Sequence, residues 1–303
     1  MQTKHKLPIA LGLAIILIVC VKAFLPKPFK NRELQKEFWV GKTHVDEQFT
    51  AVIGGDSRVY CGFATEAFEE QTGVSAYNFG YNSAGWSLDY LNFLLSKLDT
   101  CSSEATLIVG LSPHSFTDRG AENEQFNTFA SLSDFEVFRG TELSKYLKFF
   151  SPYKPDELIK SALGIPDETM CFEDFRSGGW VRSHKLPEDS TSAIPSYQKS
   201  FRGNHVNPQV QAQFVSTVAA FIQDKSIRVI AYRSPTTNQI ADIEDSMSGF
   251  NETRLKGQLE AVGVEWIDFD NNRFRSYDGS HLHYEAALQL TEELAEFYLE
   301  KEH

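Results

Sequence analysis

Three side chains in this sequence have the types that turn an alcohol into a nucleophile: Ser57, Asp278 and His281. Ser57 lies in the stretch FTAVIGGDSRVYCGF, where an apolar run ends in two glycines and an aspartate. Asp278 and His281 stand three residues apart in YDGSHL. A serine needs a base to take its proton, and the base needs an acceptor that holds its tautomer. The set predicts attack of Ser57 on an acyl carbonyl, with His281 as the base and Asp278 as its orienting partner.

Each motif also has an ordinary structural explanation. Aspartate and serine are good helix caps, so Gly-Asp-Ser is equally typical of a turn that starts a helix. Asp-x-x-His before a helix is typical of a polar turn with a surface histidine, and His283 is a rival base two residues further on. On these residues alone, the catalytic and the structural interpretations both stay open.

The elements that must position these side chains follow from the hydrophobic pattern. Five short runs, apolar on both faces, predict buried parallel strands at residues 50–54, 76–79, 106–110, 227–232 and 264–269. Amphipathic stretches predict helices at residues 64–71, 87–98, 208–225, 251–262 and 284–300. This alternation predicts an α/β fold with a parallel sheet covered on both faces by helices. Ser57 directly follows the first strand, at the sheet edge where ligands bind in such folds.

Residues 115–205 interrupt this alternation. They are rich in Phe, Ser, Asp and Pro and contain no convincing strand, so we expect an inserted region of helices and loops, a candidate lid over the site. The chain is therefore expected to have two parts. Residues 1–34 form an N-terminal anchor and linker, and residues 35–303 form one domain that carries the insertion.

The N-terminus predicts a membrane-associated or exported protein. Residues 7–25, LPIALGLAIILIVCVKAFL, form an apolar run broken only by Lys22 and flanked by cations. The run is near the lower length limit for a membrane helix, and we expect an uncleaved single-span anchor. A cleavable signal peptide is the alternative, whereas bulky Val19 argues against lipid attachment at Cys20. An uncleaved anchor and a cleavable signal peptide both place the domain outside the cytoplasm. A further alternative is a cytoplasmic domain that is anchored to the membrane by its N-terminus.

The charge of the chain argues against nucleic acid as a partner. The formal net charge is -12, and residues 1–32 carry six basic side chains and no acidic ones, so the rest of the chain is more acidic still. Such a body repels phosphate backbones. Cys61, Cys101 and Cys171 show no metal-ligand spacing, and one disulfide or separate thiols both stay open.

In their order and spacing, these motifs resemble the SGNH hydrolase superfamily, the GDSL esterases and lipases. Gly-Asp-Ser follows the first predicted strand, an Asn-x-Gly segment follows the second, and Asp-x-x-His stands shortly before a C-terminal helix. The resemblance covers roughly residues 50–300 apart from the insertion. It implies a flavodoxin-like three-layer α/β/α sandwich with Ser57 as nucleophile, His281 as base and Asp278 as its partner. Val59 stands where the elbow of α/β-hydrolases has its second glycine.

Two blocks of the superfamily pattern are altered here. The second block is YNFGYNSAG, residues 77–85, whose backbone donates to the oxyanion in the superfamily; it contains Gly80, and Ser83 replaces the usual glycine. In the third block, GLSPH replaces Gly-x-Asn-Asp, so the asparagine donor is missing, and Ser112 and His114 are the candidates to replace it. These departures resemble the anchored SGNH-like proteins of bacterial cell envelopes, including those tied to O-acetylation of surface polysaccharides.

The resemblance implies a serine-dependent enzyme that hydrolyses or transfers an acyl group, expected to be acetyl, on a cell-envelope or extracellular carbohydrate. Arg58 and Arg233 follow strand ends and are candidates to bind an acidic sugar or a carboxylate; pairing with an acid such as Asp56 is the alternative. This chemistry needs no metal and no organic cofactor. The missing asparagine favours a second hypothesis, a non-catalytic SGNH-like component of a polysaccharide assembly or export system.

Overall fold

The computed structural model describes residues 6–24, 32–144, 159, 163 and 170–300. The chain forms two compact units, Met1–Gly41 with Ser133–Thr169, and Lys42–Leu132 with Met170–His303. We call the second one the sheet unit, because it contains every described strand and every residue proposed above for the site. The region expected as one insertion, residues 115–205, is divided between the two units.

Strands and helices alternate along the described chain. The strands are β1 Ala51–Gly55, β2 Ala76–Asn78, β3 Thr106–Leu111, β4 Met170–Phe175, β5 Val181–Leu186, β6 Arg228–Arg233 and β7 Glu265–Ile267. The α-helices are α1 Lys6–Phe24, α2 Arg32–Thr43, α3 Ser57–Gly62, α4 Thr65–Thr72, α5 Leu88–Lys97, α6 Asp118–Ala121, α7 Glu124–Ala130, α8 Asp134–Phe138, α9 Ile194–Ser200, α10 Pro208–Lys225, α11 Asn238–Ser248, α12 Glu252–Glu260 and α13 Tyr284–Glu300. Short 3₁₀ turns cover Pro113–Phe116 and Asn271–Arg273, and a π-helical turn covers Arg139–Leu143.

Five strands of the sheet unit form one parallel sheet in the order β2-β1-β3-β6-β7. Each of them overlaps one of the runs predicted from the sequence. Every residue of β1, β2 and β3 is buried, as expected for strands with helices on both faces. The prediction of an α/β fold built on a parallel sheet of about five strands, flanked by helices, is confirmed.

Two helices show how the apolar stripes fix the helices on the sheet. In α10, Asn207 caps the N-terminus by accepting the Gln209 N–H at 2.8 Å, and Phe214, Val218 and Phe221 form the buried stripe. In α13, the buried residues include Leu290, Leu294 and Tyr298. They belong to one core cluster together with Val59, Phe63 and Phe68 of the segment that contains α3 and α4, and with side chains of the strands. The C-terminal helix thereby packs next to the segment that carries Ser57.

The expectation that residues 115–205 contain no strand is wrong. Strands β4 and β5 pair as an antiparallel hairpin, with Phe175 opposite Val181. The charged residues of this stretch obscured its pattern, in which Val181 and Ser183 are buried and Arg182 and His184 lie half-exposed. Such alternation is typical of a half-buried antiparallel strand, and the Gly178-Gly179 pair supplies the turn.

The N-terminal apolar run forms α1, as the sequence predicts. Among the residues that the structure describes, no helix is both long enough and apolar enough to cross a membrane. The expected membrane span is therefore not supported, and a location of the sheet unit outside the cytoplasm stays a prediction. The cysteines Cys20, Cys61, Cys101 and Cys171 are free thiols, which removes the disulfide alternative.

Candidate active site

Ser57 lies at the first turn of α3, and the residues before it fix its position. Gly55 has a φ of +151°, and a Cβ there would lie 2.7 Å from the Gly110 carbonyl oxygen, so only glycine fits between β1 and β3. Asp56 caps α3 by accepting the Arg58 N–H at 2.9 Å. Its other carboxylate oxygen accepts a hydrogen bond from the Ser112 hydroxyl at 2.6 Å. Ser57 therefore leaves the sheet edge in a fixed direction with its side chain half-exposed.

The loop before α13 holds Asp278 and His281 in one turn. The Asp278 carboxylate oxygen Oδ1 accepts the backbone N–H groups of Ser280 and His281, at 2.8 and 2.7 Å. The Ser276 hydroxyl donates to the His281 carbonyl at 2.7 Å and accepts the Gly279 N–H at 2.8 Å. Because each end of the turn is bonded to the other, the carboxylate has little freedom to leave the imidazole.

The structure brings Ser57, His281 and Asp278 together as one hydrogen-bonded row. His281 Nδ1 lies 2.8 Å from Asp278 Oδ2, and His281 Nε2 lies 2.9 Å from Ser57 Oγ, across 224 positions of sequence. The Tyr277 ring stacks on the imidazole with a centroid distance of 5.8 Å. This is the geometry in which an imidazole can take a hydroxyl proton while a carboxylate holds its tautomer. His283, the rival base, instead accepts the Glu285 N–H at its Nδ1.

The Asp278 carboxylate is ionised at neutral pH. Burial alone would raise its pKa, but its hydrogen bond to the His281 side chain, the charge of His281 and the backbone N–H groups lower the pKa to about 2. A buried anion beside an imidazole stabilises the imidazolium that forms when the histidine takes a proton.

Asp278 should therefore stabilise the fold in a defined pH window. Its folded pKa of about 2 lies below the value of about 3.9 for an unfolded chain, so the contribution is complete above about pH 5 and is lost as the pH falls towards 2. We expect about 2 kcal/mol of unfolding free energy to disappear over this range. Urea unfolding of the wild type and Asp278→Asn at several pH values measures it. The difference between the two proteins should shrink towards low pH, and a constant difference would contradict the prediction.

The donor groups of Gly80 and Ser112, two residues with expected oxyanion roles, are already bonded within the protein. The Gly80 N–H donates to the Asn78 side chain at 2.9 Å, and a Cβ on Gly80 would lie 2.8 Å from the Tyr60 nitrogen. Gly80 is therefore needed for close packing behind α3. The Ser112 hydroxyl donates its proton to Asp56, which leaves none for a bound oxygen. These bonds do not favour the oxyanion role, which stays a prediction for both residues, and they shape the segment around Ser57.

Ser83 and His114 each have a polar group without a hydrogen-bond partner among the described residues. Ser83 is exposed and has a φ of +53°, and within the described residues no acceptor binds its N–H or that of Ser57. The Nε2 atom of His114 is buried and has no hydrogen-bond partner among the described residues. Burial lowers the pKa of His114, so its imidazole is neutral at neutral pH. Their oxyanion roles stay predictions.

Arg58 and Arg233 are not free to bind a substrate acid. The buried Arg58 guanidinium binds Glu244, and it also donates to the Tyr197 hydroxyl at 2.9 Å and to the Ser280 hydroxyl at 3.3 Å. Arg233 lies 3.3 Å from Glu244 and also pairs with two exposed or half-exposed acids, Asp245 and Glu252, at 2.8 Å each. These bonds do not favour the substrate-binding role, which stays a prediction for both arginines, and their alternative partner is Glu244, not Asp56.

Glu244 is not among the residues predicted from the sequence, and it lies fully buried and paired with both arginines. It belongs to α11, a helix absent from the predicted elements. A signal was present, because Ile240, Glu244 and Ser248 recur at four-residue steps on the buried face of α11. A carboxylate on an apolar stripe indicates a buried cation nearby. As to metals, no group of three or more ligand-type side chains with metal-binding geometry occurs within the described chain.

Comparisons with known proteins give a distant structural likeness. No protein-family model matches the chain, and a search of curated proteins found no match. Among solved structures, the chain is similar to a protein from Streptococcus pneumonia that is described provisionally as a platelet activating factor. The two share 9% sequence identity, with 94% of this chain and 99% of that chain covered and a TM-score of 0.40. A likeness this distant says nothing about activity, so function is inferred from the geometry of the site.

Proposed function

We propose that this protein is a serine-dependent enzyme that hydrolyses or transfers an acyl group, with acetyl as the expected acyl group. The observation that carries the proposal is the row Ser57, His281 and Asp278, joined by contacts of 2.9 and 2.8 Å. The row lies at the carboxyl end of β1, the edge of a parallel sheet where ligands bind.

The proposed reaction has two halves. In the first, Ser57 Oγ attacks the acyl carbonyl carbon while its proton moves to His281 Nε2, and the same proton then passes to the departing alcohol as the ester bond breaks. In the second half, water or a sugar hydroxyl attacks the acyl carbon while its proton moves to His281 Nε2, and this proton then passes to Ser57 Oγ as the bond between the acyl carbon and Ser57 breaks. Attack by water gives hydrolysis, and attack by a sugar hydroxyl gives transfer. The negative oxygen formed in each half needs donors, and the unbonded N–H groups of Ser57 and Ser83 are the candidates, with His114 as a third.

The fold supports a more specific assignment. If only the five strands of the parallel sheet are numbered along the chain, β6 and β7 become the fourth and fifth strands. The order across the sheet is then 2-1-3-4-5, which is the order of flavodoxin-like folds. Together with the motif order Gly-Asp-Ser, Asn-x-Gly and Asp-x-x-His, this supports an SGNH-type three-layer sandwich. We propose an acylated carbohydrate of the cell envelope or its surroundings as the substrate. The missing third-block asparagine supports the other candidate, a non-catalytic component of polysaccharide assembly or export.

A serine-directed probe separates the two candidates. The full-length protein is incubated with a fluorophosphonate, and the labelled peptide is identified by mass spectrometry. We expect the label on Ser57, no label after Ser57→Ala, and faster turnover of 4-nitrophenyl acetate by the wild type than by Ser57→Ala. An unlabelled Ser57, together with equal turnover by both proteins, would end the enzyme proposal and favour the non-catalytic candidate. Product analysis with added sugar then shows whether acetate or a new acetyl ester is formed.

A further inference from the structure

A cavity of about 440 Å³ lies in the sheet unit, and two of the candidate site residues, Ser83 and His114, line it. Its volume falls in the range of small-molecule binding sites. Most such sites are lined mainly by apolar side chains, whereas every residue lining this cavity except Phe129 is polar or charged. The lining residues that matter for its chemistry include Ser83, His114, Arg119, Glu122 and Gln125.

The position of the cavity follows from the sheet order. Strand β1, which leads to Ser57, lies between β2 and β3, and the cavity is lined by Ser83 after β2 and His114 after β3. The two loops are bonded to each other and to the serine segment. The Ser115 hydroxyl donates to the Ala84 carbonyl at 2.9 Å, and the Ser112 hydroxyl donates to Asp56. A molecule in this cavity therefore lies on the side of Ser57 formed by these loops.

Several polar groups of the cavity wall have no partner within the described residues. The side chains of Arg119 and Glu122 are exposed, and neither makes a hydrogen bond or an ion pair in the described part of the chain. The buried Nε2 of His114 has no hydrogen-bond partner among the described residues, which is unfavourable unless a ligand or water binds it. Since His114 is neutral, its two ring nitrogens offer one donor and one acceptor.

This wall fits a neutral molecule with many hydroxyl groups. Hydroxyls both donate and accept, so they can pair with the guanidinium, the carboxylates and the neutral imidazole at once. A hydrocarbon chain would strip water from these polar groups and find only the Phe129 ring as an apolar partner. An anion would meet the carboxylates of Glu122 and Glu124 against the single cation of Arg119.

We propose that this cavity binds the alcohol portion of the ester, a neutral polyhydroxylated group such as a sugar ring, while Ser57 attacks the acyl group. The proposal rests on the proposed function and narrows its substrate class. It predicts that the enzyme selects its substrates by the alcohol and not by a long acyl chain, because the polar wall offers a hydrocarbon chain little contact.

The kinetic test compares two acetyl esters with different alcohols. Methyl 6-O-acetylglucoside offers a sugar, and 4-nitrophenyl acetate offers an aromatic alcohol with no hydroxyls to bind. For Arg119→Ala and Glu122→Ala, we expect the ratio of kcat/KM for the sugar ester to that for the aryl ester to fall about tenfold. This is the effect of losing one hydrogen bond to a charged group. Arg254→Ala and Glu296→Ala are matched controls, since both residues are exposed and lie on other helices, and their ratio should stay at the wild-type value.

A binding test separates failure of this proposal from failure of the enzyme proposal. Saturation-transfer NMR with Ser57→Ala and methyl 6-O-acetylglucoside needs no turnover. We expect a signal from the sugar protons that is lost when Arg119→Ala is added. A signal without wild-type turnover would support the cavity proposal and reject the enzyme. An unchanged kinetic ratio in both variants, no sugar signal, or preferred turnover of 4-nitrophenyl octanoate would each overturn the cavity proposal.

Discussion

Asp278→Asn is expected to lower kcat for 4-nitrophenyl acetate about ten-thousandfold while the protein stays folded at neutral pH. An asparagine still offers an oxygen to the backbone N–H groups of Ser280 and His281, so the turn keeps its shape. Its amide NH₂ would face His281 Nδ1, whose N–H now donates a hydrogen bond to the carboxylate. The imidazole then carries its proton on Nε2, facing Ser57 Oγ, and cannot accept another.

A control variant tests whether the loss of any acidic side chain of the sheet unit lowers kcat. Asp242→Asn removes an exposed carboxylate of α11 and should leave kcat within about twofold, as expected for a surface change distant from the chemistry. Circular dichroism of both variants checks the fold at the assay pH. A kcat of Asp278→Asn within tenfold of the wild type would show that Asp278 does not set the tautomer of a catalytic base.

Much of the candidate site followed from local patterns that recur at strand ends. Ser57 was placed at the sheet edge because an apolar run ends directly before it, and β1 ends at Gly55. Asp278 and His281 were paired because three residues separate them, and the turn brings Asp278 Oδ2 to His281 Nδ1. Such short-range geometry is encoded by spacing. The contact between Ser57 and His281 was predicted from chemical need, since spacing cannot encode a pair 224 positions apart.

The assignments that the hydrogen bonds do not favour share a physical cause. Gly80, Ser112 and Arg58 lie where the sequence placed them, but their polar groups are bonded to partners from other segments: Asn78, Asp56 and Glu244. Residue type shows that a group can donate, whereas tertiary structure decides what accepts. The β4–β5 hairpin was missed for a related reason. Its strands carry charged residues on the exposed face. The polar composition of the stretch therefore hides the alternation of buried and exposed side chains that is typical of a strand.

Glu244→Ala is expected to lower the free energy of unfolding by about 3–5 kcal/mol. Glu244 is fully buried, and its carboxylate binds Arg58, whose side chain is 2% exposed, as well as Arg233. Burial alone would lower the pKa of Arg58, but the Glu244 carboxylate raises it well above its ordinary value, so the guanidinium keeps its charge. Without Glu244, that charge stays buried, and its remaining hydrogen-bond partners among the described residues are the Tyr197 and Ser280 hydroxyls. An uncompensated buried charge is what makes removal of one partner so costly.

Urea unfolding of Glu244→Ala against Asp245→Ala isolates the effect of burial. Asp245 is the next residue and pairs with the same Arg233, but its side chain is 48% exposed, so its loss should cost at most about 1 kcal/mol. Equal losses for the two variants would mean that the buried cluster does not stabilise the fold.

The cluster also connects the segment of Ser57 with the loop of His281, because Arg58 follows Ser57 and its guanidinium binds Ser280, the residue before His281. As urea is added, Glu244→Ala should therefore lose turnover before it loses helical content. Asp245→Ala should lose turnover and helical content at the same urea concentration.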